Sequence, residues 1–170
     1  MGALVAGLLG AALFLGAQEA RRARMVGQGT PAPAFTLARY GGGTVSLAEQ
    51  KGKVVMLDFW ATWCPPCVEE MPYLVKLAGE FEAKGLVFIA ANSDDPGEAP
   101  LAVEAFVGQR VPGLARYAAF TNSQTSEGFR VNSLPTLYFI DRAGKIIEGE
   151  AGLASESSVR RAIVRALESQ

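Results

Sequence analysis

The sequence predicts an α/β domain with a mixed central sheet and helices on both faces. Two apolar runs, residues 53–60 and 86–91, flank a helical pattern over 65–84, which makes a βαβ unit with parallel strands. Residues 136–140 and 145–148 flank a turn at 141–144 and add an antiparallel hairpin. A closing helix over 155–167, with Ser155 as its N-cap, completes the pattern.

Each element has its own signal. Residues 35–37 and 44–46, separated by Gly41-Gly42-Gly43, form a short hairpin. The run 53–60 is nearly continuous in apolar residues, as a strand covered on both faces requires. In the helix that follows, Val68, Met71, Leu74, Val75, Ala78 and Phe81 recur at helical spacing, and Gly85 stops it. After the strand 86–91 come a polar turn at 92–97, a helix at 99–109, a short strand at 117–120 and a helix at 123–129.

The chain's 170 residues suit one domain of ordinary size. Composition excludes much chemistry, because there is no histidine. That removes His-based dyads and triads, imidazole-ligated metals and His-ligated haem. Two cysteines cannot make a four-thiolate zinc or iron–sulfur site within one chain. Lys+Arg 16 against Asp+Glu 17, a net charge of −1, gives no basic field for nucleic acid.

The N-terminus reads as a separate segment. Residues 2–17 carry no charge and are followed by Glu19, Arg21, Arg22 and Arg24. As a helix this run spans roughly 24 Å, short of the ~30 Å hydrocarbon core unless flanking residues contribute. A core helix would show a polar face, and this one has none. Residues 1–24 therefore read as a signal segment or a membrane anchor, 25–33 as a Gly- and Pro-rich linker, and 34–170 as the folded domain. A basic cluster after the apolar run would by itself hold the domain in the cytoplasm.

The chemistry lies in Trp63-Cys64-Pro65-Pro66-Cys67, where the strand gives way to the helix. Cys64 falls at the helix N-terminus, where unpaired N–H groups and the dipole favour a thiolate. Cys67 lies one turn along the same face, within reach of a disulfide with Cys64. The prolines suit a first turn, whose N–H groups are unpaired anyway. A loop this short restrains the unfolded chain little, so the spacing favours exchange chemistry over a structural staple. A helix start exposes its first residue and turns the fourth inward, making Cys64 the exposed attacker and Cys67 the buried resolver.

The stretch from Asp58 through Cys67 resembles the active site of thioredoxin-fold proteins. With Glu70-Met71-Pro72, Pro33-Ala34-Phe35-Thr36-Leu37 and Lys51-Gly52-Lys53-Val54-Val55, it resembles the membrane-anchored TlpA/ResA-like thiol-disulfide oxidoreductases. The resemblance implies a thioredoxin-like fold with an added N-terminal hairpin and a central insertion at about 94–120. It implies an extracytoplasmic, periplasmic domain on an inner-membrane anchor, against the charge pattern. It implies protein disulfide substrates, as in apocytochrome c maturation or copper-site assembly, and a membrane dithiol as electron donor. No cofactor beyond the Cys64–Cys67 disulfide is called for.

Further site residues follow. Leu134-Pro135-Thr136 matches the cis-proline loop that faces the disulfide in this fold, although an ordinary trans proline opening a strand is the default on sequence alone. A cis bond would let Leu134 offer its backbone to an extended substrate. Trp63 and Pro65 belong to the same docking surface, whereas Trp60 reads as core and Met71, Pro72 and Tyr73 as helix packing. Asp58 interrupts an apolar strand and matches the buried acid of thioredoxins; Glu70 matches the acid after the second cysteine in ResA-like proteins, but a helix residue faces solvent by default. Both are candidates for moving the Cys67 proton.

Two other readings compete. Two thiolates could bind Cu(I), although related copper chaperones add a histidine. A peroxiredoxin-type peroxidase wants Thr three residues before the cysteine, where Ala61 stands. Pro65 and Pro66 offer no N–H to a Cys64 thiolate, so its pKa should lie nearer ~7 than ~3.5, which favours a reductase.

Overall fold

In the computed structural model, which describes residues 25–169, seven strands form one sheet in the order β2-β1-β5-β4-β3-β6-β7. The strands are β1 (Thr36–Arg39), β2 (Thr44–Ser46), β3 (Val54–Trp60), β4 (Leu86–Asn92), β5 (Ala118–Phe120), β6 (Thr136–Ile140) and β7 (Ile146–Ala151). The helices are α1 (Pro65–Phe81), α2 (Ala99–Gln109), α3 (Ser123–Gly128) and α4 (Glu156–Glu168). The signal or anchor segment read over 1–24 lies outside the described residues.

The βαβ unit runs as its pattern requires. β3 pairs parallel with β4, from Val54 opposite Leu86 to Trp60 opposite Asn92, while β6 lies antiparallel on its other side. A 3-10 turn over Glu82–Lys84 extends α1, and Gly85, at φ +94°, turns the chain into β4 in the left-handed region that glycine enters without a Cβ clash. The insertion contributes α2 and β5. β5 pairs parallel with β4 and antiparallel with β1, so the N-terminal hairpin extends the sheet through the insertion.

β3 is buried along its whole length, and its alternation sorts side chains to two cores. Val54, Met56 and Trp60 pack with α1, α2 and α4. Val55, Leu57 and Phe59 pack on the opposite face with the hairpin residues Leu37 and Val45 and with Phe129, which ends α3. By the same alternation Asp58 points to the α1 side. A single position in the strand register therefore sets an acid beneath the helix that carries both cysteines.

Residues 25–33 differ from the linker expected of them. They lie along the start of β7: Gly29 N–H donates to Ile146 O (2.7 Å), Ile146 N–H to Thr30 O (2.9 Å) and Ala32 N–H to Gly144 O (2.8 Å). Met25 is buried and joins the second core. A Cβ on Gly149 would lie 2.7 Å from Met25 Cε and 3.0 Å from the Tyr138 ring, so a side chain there would have to push the flexible end of Met25 aside. Chain composition suggested freedom here, but the open backbone edge of β7 captures it. β7 runs to Ala151, further than the 145–148 expected, because β6 pairs with it through Gly149, Glu150 and Ala151.

Candidate active site

Cys64 is the N-cap of α1, in extended conformation (φ −91°, ψ 104°), and Pro65 and Pro66 fill the first helical positions. Its sulfur accepts the Cys67 N–H at 3.4 Å and is bonded to Cys67 Sγ, with the two Cα atoms 5.3 Å apart. Only 4% of Cys64 is exposed against 0% of Cys67, so the surface position expected for Cys64 is corrected. Cys64 is reached through an open cleft of about 540 Å³, on whose wall it lies and Cys67 does not. Trp63, Pro65 and Leu134 share the lining of this cleft, and Trp63 stands 69% exposed.

Two of the expected docking residues are absent from the cleft lining. Pro135 follows a cis Leu134–Pro135 bond and is buried, and Thr136 begins β6 with its hydroxyl donating to Ser133 O at 2.7 Å. They shape the Ser133–Leu134 loop from behind. Trp60 is core, its ring 5.0 Å from that of Phe106.

Between β3 and α1 lie the two acids, both wholly buried. Glu70 shares the inward stripe of α1 with Cys67, Met71 and Leu74, so the solvent-facing default does not hold. Its Oε2 accepts the Ala154 N–H at 3.3 Å; Oε1 and both oxygens of Asp58 meet no hydrogen-bond donor among the described residues. Burial pushes the Asp58 carboxyl up to about 8. Burial, and next the charge of Asp58, push Glu70 up to about 9, with Glu150 and Glu69 adding to the rise. The Ala154 N–H pulls the other way and loses to desolvation. Two such acids hold protons near neutrality and titrate as a pair.

A third acid escapes the sequence reading. Asp94 accepts the Thr62 N–H through both oxygens, at 3.1 and 3.3 Å, and the Asn92 side-chain amide at 3.0 Å. Asn92 Oδ1 in return accepts the Asp94 N–H at 3.1 Å. This clamp ties the turn that carries Trp63 and Cys64 to the end of β4. Its one sequence signal is position: a polar turn directly after a parallel strand, where open α/β sheets place functional loops. Among the described residues no three His, Cys, Asp or Glu side chains gather as a metal site. The arrangement offers one sulfur to a partner, keeps a second in reserve and buries proton-holding acids on the cysteine-bearing helix and on the strand it covers.

A family model described as Redoxin matches residues 27–163. The thiol-disulfide oxidoreductase ResA of Bacillus anthracis is 36% identical over 146 residues, covering 85% of this chain and 80% of the relative. That of Bacillus subtilis is 33% identical over 137 residues, covering 79% and 73%. Two crystal structures from Chlorobium tepidum are also similar. A candidate thiol:disulfide interchange protein DsbE superposes with a TM-score of 0.73 at 33% identity, covering 84% of this chain and 99% of that one. A thiol:disulfide interchange protein of the thioredoxin family gives 0.72 at 25%, with the same coverage.

Proposed function

We infer the reaction from one premise: the chain belongs to the Redoxin family, has a thioredoxin-like fold and is a thiol-disulfide oxidoreductase. Its substrates are protein disulfides. In the reaction we propose, the Cys64 thiolate attacks a partner disulfide, forming a mixed disulfide and releasing one partner thiolate, which takes up a proton. Cys67 then gives its proton to the singly deprotonated form of the Asp58–Glu70 pair and attacks Cys64 Sγ. That form is a minor fraction near neutrality and grows as pH climbs toward 8. The second partner thiol leaves, the partner has gained two electrons, and Cys64 and Cys67 are oxidised to the disulfide. The carrying observation is the asymmetry of the pair: Cys64 lines the open cleft, and Cys67 is fully buried on the inward stripe of α1 that it shares with Glu70.

The favoured direction is reduction. Apart from the Cys67 N–H, the first turn offers the Cys64 sulfur no backbone donor, because Pro65 and Pro66 have none and Val68 N–H is spent on Cys64 O. A thiolate held this weakly leaves the dithiol a good electron donor. The reaction needs no cofactor beyond the cysteine pair. We propose further, from the TlpA/ResA-like motifs around Cys64 and Cys67 and the uncharged run 2–17, an extracytoplasmic domain held by residues 1–24, recharged by a membrane dithiol and acting on apocytochrome c or a copper-site protein. Cys67→Ser tests this, since it stops the reaction at the mixed disulfide. Expressed in intact cells, it should trap one such extracytoplasmic protein through Cys64; trapping only cytoplasmic proteins, or none, would overturn the assignment.

A further inference from the structure

Tyr73 belongs to α1, one turn beyond Glu70, and its hydroxyl donates to the carbonyl of Ala154. The N–H of the same Ala154 donates to Glu70 Oε2 at 3.3 Å. Two side chains of one helix face thus hold the two sides of one buried residue in the loop between β7 and α4. That loop has its own tie to the cleft, since Gly152 N–H donates to Pro135 O at 2.8 Å. Packing alone does not require the phenol oxygen of Tyr73, because a phenyl ring would fill the same place.

We propose that Tyr73 is a positioning residue for Glu70: its hydroxyl fixes Ala154 so that the Ala154 N–H stays on the Glu70 carboxyl. The contact matters because it is the one hydrogen bond Glu70 receives among the described residues, and it opposes everything else around the group. Asp58 from β3, Glu150 from β7 and Glu69 on α1 all repel a Glu70 charge, as does burial. The charges of α4 that reach α1 are engaged at the surface, Glu156 with Lys76 and Arg160 with Glu80. A hydrogen bond to the charged form lowers an acid's pKa, so the donor keeps Glu70 closer to the pH at which it can take a proton. Tyr73 thereby acts on proton transfer without touching substrate or sulfur. This rests on the proton role assigned to Glu70 above.

The test is Tyr73→Phe in the full chain, which keeps the ring and removes the hydroxyl. The Glu70 carboxyl carbon, followed by NMR against pH in the oxidised protein, reads the positioning directly. Its titration midpoint should rise by about half a unit to one unit. The pH profile for resolution of a mixed disulfide should move up by the same amount. On a Glu70→Gln background the hydroxyl should have no further effect on that profile. An unmoved Glu70 midpoint, or an equal shift on the Glu70→Gln background, overturns the proposal. A midpoint that moves while resolution does not would uphold the positioning and sink the proton role of Glu70.

Discussion

The Asp94 carboxylate and the Thr62 backbone, 32 residues apart in sequence, are joined by a two-oxygen hydrogen bond that holds the turn before Cys64 against the end of β4. Asp94→Ala leaves the Thr62 N–H and the Asn92 amide without their acceptor, at a cost of about 1–3 kcal/mol in stability. It should also slow attack by Cys64 about tenfold, because Trp63 and Cys64 ride on the released turn. Urea unfolding and single-turnover reduction of a model disulfide check both. Loss of stability at full attack rate would reduce the clamp to a structural role.

Cys64, on the cleft wall, should react first. Limiting iodoacetamide added to the reduced protein should alkylate Cys64 and spare Cys67, as peptide mass mapping would show. Preferential labelling of Cys67 would reverse the order of attack and resolution.

Asp58→Asn and Glu70→Gln should each slow resolution of the mixed disulfide. The full loss of a general base is about 10²-fold, and either acid standing in for the other would reduce it. Stopped-flow measurement of the second step isolates this effect. If both variants and their double mutant resolve at the native rate, the acids have another role.

Buried acids also make stability depend on pH, and the sign follows from raised values. Asp58 rises from 3.8 to about 8 and Glu70 from 4.5 to about 9 on folding, so between those limits the folded state binds more protons than the unfolded one. Their contribution is fully present below about pH 4 and is lost as pH climbs toward 8 to 9. Asp58→Asn should raise the urea midpoint at pH 8 and leave it nearly unchanged at pH 4. An equal change at both values would contradict the neutral burial of Asp58.

The strands and helices were legible because their signals are local. Period and capping set α1, and an acid inside an otherwise apolar β3 marks Asp58 without any coordinates. Glu70 is less plain, since its place three residues after Cys67 becomes inward only once the packing of α4 fixes which stripe of α1 is covered. The Gly- and Pro-rich composition of 25–33 speaks for a linker but carries no trace of the β7 edge that captures it. The same holds for Asp94 and Tyr73, whose partners Thr62 and Ala154 lie far along the chain and meet them only in the fold.

The reduction potential tests the central claim most directly, because a weakly stabilised Cys64 thiolate and a reductase are one statement. Equilibrating the protein with glutathione redox buffers gives the Cys64–Cys67 potential. With the Cys67 N–H as the one backbone donor of the first turn on Cys64 Sγ, it should fall toward thioredoxin's roughly −270 mV. A potential near DsbA's roughly −120 mV would make the disulfide a strong oxidant and contradict the assignment.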